Sequence, residues 1–331
     1  MPQTEVILST HDVTTSADKR RNQNVTMTLE LPTEEQLARI YDELAMNPDT
    51  IERDVAYLKE WISKQPHLPN GIDDRFLRNS LIFRKNSLEK VKESVDLFYS
   101  VKSLAPELLS NRDPFDPALQ GEMENLFFYP LPKLTQDGSR VIISKLFCTD
   151  PKMFYYPSAA KLVLMVAAVS LLEDRCLSHT IVFDLQGITM SHLATVQIPL
   201  ARKFIYIGQN AYPIRQKAVH IIHAPSYVET MLSIFKPFLK KKLIDRIHIH
   251  SGGLDSLFDA LPRSIFPVDY GGEEISLRDI QKKWRTKLVE YRSWFLEDDK
   301  KTVDERKRPG KPRTHYDMFG FEGSFRQLSV D

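Results

Sequence analysis

The side chains with the greatest capacity for chemistry are histidines, which form three groups: His220 with His223, His248 with His250, and a lone His192. On a β-strand, His248 and His250 would lie on the same face, an arrangement that suits a pair of metal ligands. No third ligand follows at a spacing typical of zinc sites. We therefore expect hydrogen-bonded or surface histidines and no bound metal.

A hydroxyl, a base and a carboxylate lie close together in the sequence at Ser191, His192 and Asp184. The Gly-x-Ser-x-Gly elbow that positions a nucleophilic serine is missing, and sequence neighbours rarely form a working triad. Asp184 ends a predicted strand and is expected to fix a turn or a cap. The glycine pairs at 252–253 and 271–272 lack the spacing of a phosphate-binding loop. We expect no enzymatic activity.

The composition favours a folded, soluble protein. The 331 residues are 42% hydrophobic and carry a net charge of +1, so we expect no nucleic-acid partner. Two cysteines, Cys148 and Cys176, are too few for a disulfide framework and fit a reducing compartment. Residues 1–24 lack the apolar core of a signal peptide, and the longest apolar run, 162–172, is shorter than the ~20 residues that span a membrane. These features predict a cytoplasmic protein.

Hydrophobic periodicity predicts helices before residue 112 and an α/β arrangement after it. Thr33 and Gln36 form a capping-box pattern, and apolar residues from Ile51 to Ile62 repeat at helical spacing. A hairpin is predicted around 136–138, followed by strands at 179–185, 217–223 and 246–250. The helices predicted between them are 152–173, 193–210 (interrupted or bent at Pro199) and 226–243. Such alternation produces a mostly parallel sheet flanked by helices.

The chain therefore divides into four predicted parts. Residues 1–31 are a mobile leader, and 32–112 form a helical bundle. The α/β domain covers 113–275. Residues 276–331 comprise a helix at 277–297, a charged linker at 300–313 and an aromatic tail at 319–325 that is expected to dock back onto the fold.

One segment combines an apolar helical face with a basic end. Ser226 and Glu229 match a second capping box, and Pro237 should kink or end the helix near Lys236. Its apolar residues are Val228, Met231, Leu232, Phe235, Phe238 and Leu239. The basic residues in and around it are Arg215, Lys217, Lys240, Lys241, Lys242 and Arg246. The segment is either an ordinary core helix with a solvated end or a lid that covers an apolar ligand and meets an anionic membrane.

An ordered set of short motifs resembles the CRAL-TRIO family, which includes tocopherol- and retinaldehyde-binding proteins. The matching stretches are DDRFLR at 73–78, IVFDLQG at 181–187, SH at 191–192, IFKPFL at 234–239, DRIHIH at 245–250, LP at 261–262 and DYGG at 269–272. Together they cover about residues 33–297. The resemblance implies an N-terminal helical bundle followed by a lipid-binding α/β domain.

The resemblance also implies that residues 225–243, here termed the gate segment, correspond to the family's mobile gate. It implies that Arg215, Lys217, Lys242 and Arg246 contact phosphoinositide headgroups; Lys240 and Lys241 extend this basic group. The positions expected to face the ligand are Phe183, Val196, Leu200, Phe204, Ile221, Met231 and Phe235.

These observations predict a carrier that binds a lipophilic small molecule and releases it at phosphoinositide-containing membranes, without a cofactor or metal. It would be cytoplasmic and reversibly membrane-associated. The alternative is an adaptor that phosphoinositides recruit to membranes and that transfers nothing. The sequence does not determine the ligand's identity or the oligomeric state.

Overall fold

The computed structural model describes residues 28–320 and begins with a helical unit. The four apolar residues predicted to face inward from the second helix, Ile51, Val55, Leu58 and Ile62, are all buried. The helices of this unit are α1 (Glu34–Glu43), α2 (Ile51–Ser63), α3 (Asp74–Phe83), α4 (Leu88–Leu104), α5 (Pro106–Leu109) and α6 (Pro117–Asn125). The predicted N-terminal bundle is confirmed.

Side-chain caps start these helices where the sequence predicts. Gln36 N–H donates to Thr33 Oγ1 at 3.2 Å, and Thr33 N–H donates to Gln36 Oε1 at 3.0 Å, which completes the predicted capping box. Asp73 Oδ1 accepts from Arg75 N–H at 2.9 Å at the start of α3. These bonds satisfy backbone donors that lack partners within the helix.

The described residues contain one five-stranded sheet with the strand order β1-β2-β3-β4-β5. The first two strands form the predicted antiparallel hairpin, and each later strand joins in parallel. The strands are β1 (Leu126–Leu134), β2 (Ser139–Leu146), β3 (Ser178–Asp184), β4 (Gln216–Ile222) and β5 (Ile247–Ile249). Because each parallel connection is a crossover containing helices, the α/β prediction is confirmed.

A long helix, α7 (Tyr156–Glu173), lies between the helical unit and the sheet. It has the length and apolarity of a membrane-spanning helix, but 67% of its residues are buried inside the fold. It contacts α3, α5, α6 and β1. Since its apolar surface is covered by the protein itself, α7 is a core helix.

Two predicted helices are broken by proline in the structure. The predicted interruption at Pro199 is confirmed: Pro199 lies in the first turn of α9 (Ile198–Tyr206), which follows a separate short helix, α8 (Met190–Ala194). Proline suits this position because its missing N–H has no helical partner there. A π-helical turn, Ile207–Ala211, follows α9.

The gate segment is also broken. The structure divides it into α10 (Val228–Phe235), a 3₁₀ turn (Lys236–Phe238) and α11 (Lys241–Ile244), which confirms that Pro237 ends the regular helix. The predicted capping box at Ser226 is wrong. Val228 N–H donates to Pro225 O at 3.0 Å, so residues 225–228 form a turn and α10 begins without a side-chain cap.

The C-terminal part packs against the rest of the fold, although it is rich in charged side chains. The predicted helix at 277–297 is split at Tyr291 into α13 (Leu277–Glu290) and α14 (Arg292–Asp298), which follow α12 (Gly253–Phe258). The linker is not freely solvated, because the Arg308 side chain is only 7% exposed and forms an ion pair with Asp96 of α4 at 2.8 Å.

The two ends of the described chain both lie against the fold. Phe319 in α15 (His315–Phe319) is buried, with its ring centroid 5.3 Å from that of Tyr206. Leu29 is buried, and Glu30 N–H donates to Pro132 O at 2.8 Å. The rest of the predicted tail, 321–325, and leader residues 1–27 lie outside the described residues.

Candidate ligand-binding cavity

A cavity of about 490 Å³ lies between one face of the sheet and the helices α7, α9 and α10. Its sheet wall consists of alternating side chains, because residues two apart on a strand share a face. The apolar residues of this wall include Phe128, Ile142, Ile181, Phe183, Val219 and Ile221. The size and the apolar wall are typical of a small-molecule pocket.

Six of the seven predicted pocket residues line this cavity: Phe183, Val196, Phe204, Ile221, Met231 and Phe235. Leu200, the seventh, does not line it. The sequence predicts a helix at 193–210 that is interrupted or bent at Pro199; in the structure α9 starts at Ile198, and Leu200 is buried in its first turn. Val196 lies between α8 and α9 and therefore does not share a helical face with Leu200.

The sequence prediction missed the wall formed by α7. Val163, Leu164, Ala167 and Leu171 line the cavity from this helix. The helix is apolar on nearly all sides, so its pattern indicates burial but does not distinguish a face against a cavity from a face against packed protein.

The gate segment forms the remaining wall. Of its six predicted apolar residues, Val228, Met231, Leu232, Phe235 and Leu239 line the cavity. Phe238 does not, because it lies in the 3₁₀ turn at Pro237, with its ring centroid 6.0 Å from the Arg202 guanidinium. The apolar face of α10 therefore lines the cavity up to Phe235, and the chain changes direction at Pro237, where the sequence predicts the helix to kink or end.

The π-helical turn after α9 is hydrogen-bonded to the gate segment through Gln209. Its Nε2 donates to Phe238 O at 3.0 Å, and its Oε1 accepts from Lys240 N–H at 2.8 Å. Gln209 also lines the cavity. We term this pair of hydrogen bonds the Gln209 latch, since it joins a cavity wall to the end of the gate segment.

Asp184 is held by four hydrogen bonds where β3 ends. It accepts from Lys145 Nζ at 2.6 Å, His223 Nδ1 at 2.7 Å, the Tyr270 hydroxyl at 2.8 Å and Gln186 N–H at 3.0 Å. Burial raises the pKa of Asp184, but the bonds from Lys145 and His223 outweigh it and hold the pKa below its ordinary value. The bond from Gln186 confirms that Asp184 fixes a turn.

His192 lies apart from Asp184 and belongs to the cavity wall. Its Nδ1 accepts from Thr189 N–H at 3.1 Å, and the ring is 3% exposed. No described residue accepts a hydrogen bond from its Nε2. Burial lowers the pKa of His192. Since Asp184 is bonded to His223 and not to His192, the two do not form the arrangement of a catalytic triad.

His220, His248 and His250 contact one another. His220 Nδ1 lies 2.8 Å from His250 Nε2, and the His220 and His248 rings are stacked with centroids 5.2 Å apart. Burial and the neighbouring His250 and His248 lower the pKa of His220 to about 4. His220 is therefore neutral near pH 7, and its hydrogen bond to His250 and its stacking on His248 hold the three rings together.

One further group of potential metal ligands, Asp174, Cys176 and His179, lies buried within the described part of the chain. Arg140 donates to both carboxylate oxygens of Asp174, at 2.9 and 3.0 Å. A metal ion would meet a guanidinium already paired with this carboxylate. The arrangement is that of a buried ion pair.

The predicted basic residues lie in different environments. Arg215 pairs with Glu43 at 2.8 Å, Lys217 pairs with Asp137, and Arg246 donates to Gln216 O. Lys240, Lys241 and Lys242 are exposed at the end of the gate segment. These three lysines are here termed the lysine cluster. Because they are exposed, they are the members of the predicted basic group that are most accessible to an anionic surface.

Comparison with protein families gives two matches along the chain. The family described as CRAL/TRIO domain matches residues 124–272, which include the whole sheet and the gate segment. The family described as Pinta-like, UBA domain matches residues 47–119 of the helical unit.

Among the relatives of this chain are proteins that are similar to it over most of its length. The human protein named alpha-tocopherol transfer protein-like is 30% identical over 249 residues, which cover 72% of this chain and 70% of that protein. Clavesin-1 of Xenopus laevis is 24% identical over 234 residues, 70% of each chain.

The crystal structure of Sfh5 superposes with a TM-score of 0.42 and 12% identity, covering 79% of this chain and 99% of that one.

Proposed function

The chain belongs to the CRAL-TRIO family, whose members bind and transfer lipids, and on that premise we propose that it carries a lipophilic small molecule between membranes. The observation that carries the proposal is the cavity of about 490 Å³, which is walled by apolar side chains and closed on one side by α10. The similarity to a protein named for tocopherol transfer supports the same class of cargo.

Burial of the ligand supplies the binding energy. Each 100 Å² of apolar ligand surface removed from water contributes roughly 2.5 kcal/mol. The wall offers few polar groups, and Asp184 and Lys145 within it already bind each other at 2.6 Å. Binding therefore depends on shape and on apolar contact, and no bond of the ligand is broken.

Release requires the gate segment to move. Opening α10 would expose Met231 and Phe235, which is unfavourable in water but less so against lipid. The lysine cluster at its end would bind anionic headgroups, with roughly 1 kcal/mol from each basic residue near the surface. Phosphoinositides concentrate several negative charges in one headgroup. We propose that they favour opening and that the protein is cytoplasmic and peripherally membrane-associated.

A transfer assay tests this function. Donor vesicles would contain fluorescent NBD-tocopherol, and acceptor vesicles would contain phosphatidylcholine with or without phosphatidylinositol bisphosphate. We expect the protein to accelerate transfer, and the phosphoinositide to increase the rate further. Absence of acceleration for tocopherol and for a panel of retinoid, sterol and phospholipid probes would contradict the carrier function.

A membrane-recruited adaptor is the second candidate, and the exposure of the lysine cluster favours it independently of the cavity. Such a protein would float with phosphoinositide vesicles without accelerating transfer of any probe. Flotation and transfer measured on the same preparation would separate the two functions.

A further inference from the structure

The chain that follows α14 runs across the helical unit and ends on a helix of the cavity wall. Residues 300–320, here termed the strap, lie outside the residues that match the CRAL/TRIO family. In the first part of the strap, Asp304 N–H donates to His67 O at 3.0 Å, and Arg308 pairs with Asp96 of α4 at 2.8 Å. These bonds attach the strap to the helical unit.

The other end of the strap, α15, packs against α9. Phe319 is 1% exposed, and its ring centroid lies 5.3 Å from that of Tyr206 and 5.5 Å from Lys203 Nζ. Gly320 ends α15 in the left-handed region, with a φ of 75°, and a Cβ atom at this position would overlap the Arg202 guanidinium. The strap therefore covers the face of α9 that carries Arg202, Lys203 and Tyr206.

The opposite face of α9 belongs to the cavity. Phe204 and Ile205 line the cavity, and a helix turns by about 100° per residue, so these two side chains point away from the strap. The helix also contacts the 3₁₀ turn Lys236–Phe238 of the gate segment. There the Arg202 guanidinium lies 6.0 Å from the Phe238 ring centroid. Arg202 thus lies between the end of the strap and the gate segment.

We propose that the strap restrains opening of the gate segment by holding α9 in place from outside the cavity. Packed elements transmit displacements to their neighbours, so α9 cannot shift away from Phe238 while Phe319 fixes its outer face. The inference rests on the proposed carrier function and adds a regulatory contact to it. A partner or a modification that detaches α15 would increase the rate of ligand release.

Three substitutions separate this role from ordinary packing of a chain end. Phe319→Ala removes the side chain that anchors α15 to α9. Tyr316→Ala makes the same kind of change on the same helix, but Tyr316 is 61% exposed, so this variant is the matched control. Arg202→Ala removes the contact with Phe238 and leaves the Phe319 ring in place.

The first measurement is stopped-flow release of bound NBD-tocopherol to excess phosphatidylcholine vesicles. We expect release to be about fivefold faster from Phe319→Ala than from the native protein, and unchanged in Tyr316→Ala. The double variant with Arg202→Ala should release the probe more slowly than the product of the two single effects predicts, because both changes interrupt one chain of contacts. Effects that multiply fully would contradict a restraint acting through Arg202.

The second measurement is amide hydrogen exchange of the ligand-free proteins. We expect faster exchange at 228–240 in Phe319→Ala than in Tyr316→Ala, since local opening of the gate segment becomes easier. If Phe319→Ala fails to fold by circular dichroism, Phe319→Leu, which loses less packing, takes its place in both measurements.

Faster exchange confined to the strap, or equal release from Phe319→Ala and Tyr316→Ala, would overturn the inference. Failure of the native protein to bind NBD-tocopherol or any other lipid probe would instead contradict the carrier function. Exchange at 228–240 would still decide in that case whether the strap restrains the gate segment.

Discussion

Gln209 holds Lys240 through a hydrogen bond from the Lys240 N–H to the Gln209 Oε1 at 2.8 Å, while the Gln209 Nε2 donates to Phe238 O. One amide side chain thus satisfies two backbone groups on either side of Leu239. Gln209 lies in the π-helical turn that directly follows α9. Its two hydrogen bonds therefore connect the gate segment to α9. π-Helical turns inside helices are frequent at functional sites.

Replacing Gln209 with Leu should weaken the closed position of the gate segment while retaining an apolar cavity wall. Two net hydrogen bonds contribute roughly 1–3 kcal/mol together, so we expect at least a fivefold faster release of a bound fluorescent lipid. The measurement is stopped-flow transfer to excess vesicles. Gln197→Leu, an exposed change just before α9, is the control. Equal release rates for both variants would show that the latch does not restrain the gate segment.

Replacing Lys240, Lys241 and Lys242 together with Ala should weaken binding to anionic vesicles by roughly a hundredfold at low salt, from about 1 kcal/mol per lysine. It should also flatten the salt dependence of binding, since fewer screened charges take part. Ligand affinity should stay nearly unchanged. The double substitution Lys282→Ala and Lys283→Ala on α13 also removes positive charge, but away from the gate segment, and is the control. Vesicle binding equal to that of the native protein would argue against the lysine cluster as the membrane contact.

Glu122 in α6 predicts a pH dependence of stability. Its side chain is buried, Oε1 accepts from Tyr155 N–H at 2.7 Å, and burial raises its pKa from 4.5 to about 7. The native state therefore retains the proton at pH values where the unfolded chain has lost it. The contribution of Glu122 to the free energy of unfolding is fully present below about pH 4.5, and it is lost as the pH rises through about 7.

Glu122→Gln should remove the loss of stability that Glu122 causes at high pH. We expect the variant to gain roughly 1–3 kcal/mol over the native protein at about pH 8 and little at about pH 4.5. Urea unfolding at both pH values measures the difference, with exposed Glu34→Gln as the control. A gain of the same size at both pH values would contradict an origin in the Glu122 proton.

Asp96 joins the C-terminal segment to the helical unit. It pairs with Arg308 and Arg313, each at 2.8 Å. Asp96→Asn should lower the free energy of unfolding by roughly 2 kcal/mol, because Arg308 is nearly buried and loses a charged partner. Asp304→Asn, whose partner Arg306 is 89% exposed, should leave stability unchanged. Equal effects of the two changes in urea unfolding would show that the segment is not held by Asp96.

The fold was predictable where local pattern and tertiary packing agree. Alternation of strands and helices predicted the sheet, and Pro237 predicted the end of α10. The capping box at Ser226 was wrong because a Ser-x-x-Glu pattern fits a turn as well as a helix start. Only the bond from Val228 N–H to Pro225 O distinguishes the two.

The cavity was predictable in its outline and not in its polar features. Periodicity identified Met231 and Phe235, because both lie on one apolar helical face. The role of Gln209 depends on a π-helical turn that no local pattern indicated.

The central claim is that the cavity holds a lipophilic cargo, and native mass spectrometry of the purified protein tests it most directly. We expect a mass increase from a bound molecule that organic extraction recovers. Phe235→Asp, which places a charge in the cavity wall, should lose this molecule, whereas exposed Phe115→Asp should retain it. A native protein that is repeatedly recovered empty and takes up no lipid on incubation would contradict the account.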